Sequence, residues 1–165
     1  MRSLDFWPRL LPGAPYAVVD WATLQACSDG SPAASCGVTL VQAPGSLRAP
    51  VTTLRAQPHG VDSFTPTLTV VVPVCPAGDG GRGAALIGEP DKFATVSVRR
   101  FVSAKCTAGG LAFVVAGQPG EAVRLAALAH GALTVSVLNA TLPAAPGGTL
   151  ACTLQGAALS CAAQA

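Results

Sequence analysis

Covalent chemistry in this 165-residue chain rests with six cysteines: Cys27, Cys36, Cys75, Cys106, Cys152 and Cys161. None lies in a CxxC pair or beside a histidine at metal-ligand spacing, which argues against zinc. An even count points to disulfides, against the alternative of reduced thiols buried as small apolar groups. Spacing alone does not choose among the pairings. The first and last pairs nevertheless share one separation, and each closes a short loop, so sequential pairing is expected: Cys27 to Cys36, Cys75 to Cys106, Cys152 to Cys161. On a chain-entropy model each short loop contributes about 2.5 kcal/mol and the longer one about 3.5 kcal/mol.

The last pair has a readable scaffold. Residues 149–163 run TLACTLQGAALSCAA, and a two-residue turn at Gly156-Ala157 sets Gln155 opposite Ala158, Leu154 opposite Leu159, Thr153 opposite Ser160 and Cys152 opposite Cys161. Glycine accepts the positive φ of the mirror-image turns that join antiparallel strands. Counted outward from the turn, the 154:159 and 152:161 pairs are non-hydrogen-bonded, with Cα atoms about 4.5 Å apart, inside the disulfide range. Leu150, Leu154 and Leu159 then share the face of the two sulfurs, and Thr153 and Ser160 share the other.

Catalytic constellations are scarce. The histidines are His59, in the turn-rich QPHGVDSF with Asp62 and Ser63, and His130, in LAHGAL. Without a GxSxG elbow, His59 reads as a solvated loop residue rather than a triad member, and His130 as a turn marker. A blue-copper site usually takes an axial methionine, and the one methionine is Met1. Asp20, Asp62, Glu89, Asp91 and Glu121 could be drawn on for the paired carboxylates of glycoside hydrolysis, but nothing in the sequence places two together. PAGDGGRGAALIGEP has no GK[ST] and no helical pattern after it, so it reads as a surface loop and not a phosphate cradle. No cofactor and no metal site is expected. Trp7, Trp21, Tyr16 and the phenylalanines could build a sugar-binding face, although most are expected in the core.

Composition bounds the scaffold. Half of the residues are hydrophobic, yet 5% are aromatic and 11% charged, against about a quarter charged in an average protein. With 18 Gly and 14 Pro, this is poor material for a helix bundle and suits a glycoprotein or a packed assembly. A net charge of +2 with arginines scattered except at Arg99-Arg100 gives no nucleic-acid footprint. The one asparagine, Asn139, opens the sequon Asn139-Ala140-Thr141. Residues 125–142 include His130, Gly131 and Asn139 and read poorly as a membrane span. Residues 1–11 contain Asp5 and Pro8 and make a poor signal peptide, which suggests a fragment of a longer secreted protein or a start further upstream. Beyond Arg124 no charged side chain follows apart from His130. Since charge normally blunts strand edges, this last quarter is expected either to lie under a glycan at Asn139 or to contact a neighbour.

Residues 1–15 read as an extended Pro-rich segment and 16–165 as a single β-sandwich, or as two sub-domains dividing near 107–118. Residues 16–21 form the first expected strand, with Trp21 as a large core anchor; 38–41 and 51–54 are short strands. In 63–75, Phe64, Leu68, Val70, Val72 and Val74 face away from Ser63, Thr65, Thr67 and Thr69, while Pro66 and Pro73 mark an edge. A strand over 93–101 would turn Ala94, Val96 and Val98 inward and bulge near Arg99-Arg100. Residues 111–116 read as a short buried strand. EAVRLAALA, 121–129, has helical composition but is read as a strand among strands. In 133–138, Leu133, Val135 and Val137 oppose Thr134 and Ser136. About ten short strands indicate an antiparallel β-sandwich.

PGEAVRL, LTVSVLNATLPA and LACTLQGAALSC, within residues 119–161, resemble the tandem immunoglobulin-like repeats of bacterial and other cell-surface proteins. Those read as a Pro-Gly-Glu opening, a strand ending in Asn, a Leu-Pro-Ala turn and a closing cysteine hairpin. The Ala, Pro, Gly and Val bias also resembles, in composition only, green-algal extracellular-matrix glycoproteins of the pherophorin kind. The resemblance implies an all-β, immunoglobulin-like, disulfide-stapled sandwich acting as a non-catalytic structural or adhesive module at a cell surface or in a matrix. Its partners would be other protein chains or domains, or glycans, with neither nucleic acid nor direct membrane insertion. The alternatives are a carbohydrate-binding module and, after it, a secreted hydrolase.

Overall fold

The structure is a computed structural model and describes residues 15–42, 68–75, 83–92, 94–108, 110–144 and 148–164. Two segments without polar alternation, AALIG and AVRLAALA, form its middle: β5 (Ala84–Gly88) and β8 (Ala122–Ala129) pair antiparallel. They complete a central sheet in the order β2 (Ser31–Pro32), β9 (Thr134–Thr141), β8, β5. Against one face lies a four-stranded sheet, ordered β11 (Ala158–Ala163), β10 (Thr149–Gln155), β7 (Gly110–Ala116), β6 (Phe101–Thr107). Against the other lies a three-stranded sheet, ordered β3 (Val38–Gln42), β1 (Pro15–Asp20), β4 (Thr69–Pro73).

Side-chain parity shows why the middle strands do not alternate. Along β8, Val123, Leu125, Ala127 and Ala129 enter a core with Phe101, Phe113, Val115, Leu150 and Leu154 of the four-stranded sheet. The intervening Ala126 and Leu128 enter a second core with Ala17, Val19, Leu24, Val38 and Val72. β5 divides the same way, Ala84 and Leu86 to the first core, Ala85 and Ile87 to the second. A strand buried on both faces has no solvent side, so its sequence is a continuous apolar run.

The protein is thus all-β and antiparallel, and EAVRLAALA is a strand. The described residues form three sheets, where an immunoglobulin-like sandwich has two. The last hairpin has the register read from its sequence, Gln155:Ala158 through Cys152:Cys161, with Gly156 at φ 59° in the turn. β4 is an edge strand, as Pro73 requires.

Four expectations need correction. The Gly-rich stretch is not all loop, since Ala84–Gly88 is buried throughout. Residues 94–100 are turns rather than a strand, and β6 begins only at Phe101. The segment folds back over Gly88, whose φ is 99°; the Glu89 N–H donates to the Thr95 carbonyl at 2.8 Å, and a Cβ on Gly88 would lie 2.0 Å from that oxygen. Thr95 is therefore buried while Ala94 is exposed and Val98 is 65% exposed, against the expected parity, and of the three residues expected inward Val96 alone packs against the core. The bulge lies between Phe101 and Ser103, just past Arg99-Arg100.

Trp21 does not anchor a strand. The Asp20 carboxylate accepts from the Thr23 N–H at 2.8 Å and the Thr23 hydroxyl at 2.6 Å, an N-cap that starts the five-residue helix α1 (Trp21–Gln25) one residue after the strand. Trp21 is half-buried, its Nε1 donating to the Lys92 carbonyl at 3.2 Å. Leu133, at φ 50° and 52% exposed, precedes β9 rather than packing in it, and Ser136 is buried. Residues 1–14, 51–54 and 63–67 lie outside the described residues.

Candidate functional site

All six cysteines form the sequential disulfides. Cys27–Cys36, with Cα atoms 5.1 Å apart, ties the residues after α1 to a 3-10 turn (Ala33–Cys36) inside the second core. Cys75, which bridges to Ala84 beside β5, is joined to Cys106 on β6 across 5.5 Å. That bond ties the chain leaving the three-stranded sheet to the four-stranded one. Cys152 and Cys161 have Cα atoms 4.0 Å apart, the close approach of a non-hydrogen-bonded pair, and the Thr153 and Ser160 hydroxyls meet at 3.3 Å on the opposite face.

The densest polar cluster of the described residues is built on Arg100. Its Nε donates to Glu89 Oε2 at 2.8 Å, one terminal nitrogen to the Ala116 carbonyl at 3.1 Å and to Glu121 Oε2 at 2.9 Å, and the other to Glu121 Oε1. The Gln118 N–H also donates to Glu121. The bond from Arg100 is the main cause that holds the Glu121 carboxyl at about 2, and Glu121 with Glu89 raises the guanidinium further above its ordinary value. Gly117 leaves room for them, since a Cβ there would lie 1.9 Å from an Arg100 nitrogen and 2.6 Å from Glu121 Oε2 and would displace the pair. Arg100 and Glu121 are thereby held in their charged forms around neutral pH, and through its bonds to Glu89, Ala116 and Glu121 the guanidinium clamps together the end of β5, the turn before β6 and the turn before β8.

Arg124 makes a second clamp on the other face of β8. It donates to the Gln25 carbonyl at 3.0 Å, the Cys27 carbonyl at 2.5 Å and Asp91 at 3.0 Å, binding the central sheet to the C-terminal end of α1. Asp29 accepts from the Val137 N–H at 2.9 Å. The described carboxylates Asp20, Asp29, Glu89, Asp91 and Glu121 all serve the fold in this way. A cavity of about 220 Å³ opens where β5 and β7 begin and the β10–β11 turn sits, lined by glycine and alanine such as Gly83, Gly110 and Gly156. Beside it the Ser136 hydroxyl donates to the Ala157 carbonyl at 2.5 Å.

The sequon asparagine, Asn139, is exposed on β9 opposite Arg124. His130 opens the 3-10 turn His130–Ala132, while His59, Asp62, Ser63 and Trp7 lie outside the described residues. Tyr16, Phe101 and Phe113 are buried. No group of three metal-ligating side chains occurs among the described residues, and none of their helices is long and apolar enough to cross a membrane. The Arg100 cluster was not foreseen from the sequence; its one signal was the parity slip at Arg99-Arg100 in a chain with few charges. No family model, no curated protein and no solved structure matches this chain.

Proposed function

We propose that the protein is a non-catalytic structural or adhesive module of an extracellular, cell-surface or matrix glycoprotein, working through contacts with other chains. The observation that carries this reading is that all six cysteines are spent on disulfides, which fasten both cores and the closing hairpin. Such bonds persist in oxidising compartments. The exposure of Asn139 leaves the sequon open to modification, and the described carboxylates serve as cap and clamps rather than as acid and base. An immunoglobulin-like ancestry is part of the proposal and rests on β5 to β11, two antiparallel sheets over one core, with the three-stranded sheet as an added layer.

Non-reducing peptide mapping by mass spectrometry, on protein from its native source, tests the reading. Cys27–Cys36, Cys75–Cys106 and Cys152–Cys161 peptides together with a glycan on Asn139 are expected. Free thiols with a bare Asn139 would remove the extracellular assignment. Binding to a glycan array would favour the carbohydrate-binding alternative.

A further inference from the structure

The uncharged last quarter of the chain had two readings, a surface under a glycan and a surface that contacts a neighbour. Asn139 shares its side of β9 with Val135 and Val137, which pack toward the second core, and it pairs with Arg124, whose guanidinium reaches α1. A glycan on Asn139 therefore projects on the face of the central sheet turned away from β10 and β11. It does not cover β11.

The two edges of the four-stranded sheet differ. β6 is blunted by the exposed Lys105 and by the register shift between Phe101 and Ser103. β11 has no charge, no proline and no register shift along its pairing with β10, and among the described residues no strand lies beyond it. Charge, proline and bulges are the devices that keep sheet edges from pairing. Because 152:161 and 154:159 are non-hydrogen-bonded pairs, the N–H and C=O groups of Leu159, Cys161 and Ala163 point away from β10, outward along the open edge.

We infer that β11 pairs antiparallel with β11 of a second copy of this chain about a two-fold axis at Cys161. This rests on the assembly reading above and names the partner. Three outward-pointing residues at alternate positions are self-complementary: Cys161 meets Cys161 of the second copy, and Leu159 meets Ala163 in both directions. All outward N–H and C=O groups are then paired. On the solvent face Ser160 comes opposite Ala162, side chains small enough to meet without displacement, and the two four-stranded sheets become one of eight. The interface is isologous and closes at two copies. Confined to one strand pair, it is small, so association occurs at micromolar rather than nanomolar concentrations.

The test is the molar mass of the oxidised 165-residue chain by light scattering and sedimentation, from low micromolar to near-millimolar concentration. The mass is expected to rise from that of one 16.4 kDa chain to that of two. Ala163→Pro removes an outward N–H that β10 does not use, and it should weaken association about tenfold or more. Ala162→Lys brings like charges within about 8 Å across the axis and should act in the same direction. Circular dichroism should be unchanged in both. A single-chain mass throughout, or a dimer indifferent to both substitutions, overturns the inference. A monomer that takes up a strand-forming peptide from another protein also overturns it, by giving the edge a different occupant. A monomer that keeps its three disulfides and its Asn139 glycan refutes the self-pairing while leaving the structural-module reading intact.

Discussion

The two faces of the central sheet bury the same strands by different means. Toward the four-stranded sheet the core holds Phe101 and Phe113, ring centroids 6.0 Å apart, among leucines, valines and the half-cystines Cys75 and Cys152. Toward the three-stranded sheet it holds no aromatic ring among the described residues, only aliphatic side chains and the Cys27–Cys36 disulfide. β8 serves both with alternating sizes, Leu125 and Ala127 forward, Ala126 and Leu128 back. Each face also has an arginine: Arg100 sits at the rim of the first core between two carboxylates, and Arg124 reaches from the second face to backbone carbonyls and Asp91. The first core is held in part by ring packing between long strands. The second, under the shorter three-stranded sheet, has no ring pair; disulfides reinforce both, Cys27–Cys36 within the second core and Cys75–Cys106 and Cys152–Cys161 at the first.

Substitutions can separate these contributions. Phe113→Ala should cost about 4 kcal/mol in urea unfolding, against about 3 kcal/mol for Leu128→Ala in the second core, because it leaves the larger void. Arg100→Met should cost about 3 kcal/mol, the low end for a broken buried pair. Glu89, at 6% exposure, loses its partner, while Glu121, at 27%, is partly rehydrated. Replacing Cys27 and Cys36 together by alanine should lower stability by about 2.5 kcal/mol by the chain-entropy argument. Arg124→Met should cost about 1 kcal/mol, because Asp91 is 55% exposed and screened.

The mildest probe is pH. The Glu121 carboxyl lies at about 2 in the folded protein against 4.5 ordinarily. Its contribution is therefore fully present above about pH 4.5 and is lost as pH falls from there through about 2. Thermal melts should show that acid limb in the native protein and a shallower one in Glu121→Gln.

The closing hairpin was legible because one glycine turn fixed every pair, and the sulfurs, the leucines and the Thr153–Ser160 contact all agreed with one register. β5 was not, because four apolar residues between glycines look the same whether they line a loop or a sheet buried on both sides. Residues 94–100 have real alternation, but the close approach of Thr95 to Gly88 overrides it, and that contact exists only in three dimensions. At Trp21 the helix signal, Asp20 followed by Thr23, was present and was outweighed by strand pattern. The disulfides were legible from count and spacing. The Arg100 clamp was not, since Glu89 and Glu121 stand 11 and 21 residues away along the chain and meet it only once β5, β7 and β8 have folded.

The central claim is that β8 belongs to both cores, so the two layers flanking it unfold as one unit. Native-state hydrogen exchange on Leu128→Ala tests this most directly. That substitution touches the second core alone, yet the slow amides of β1, β8 and β7 should all lose the same free energy. If only the β1 amides exchange faster while those of β7 keep their protection, the two cores are independent and the account is wrong.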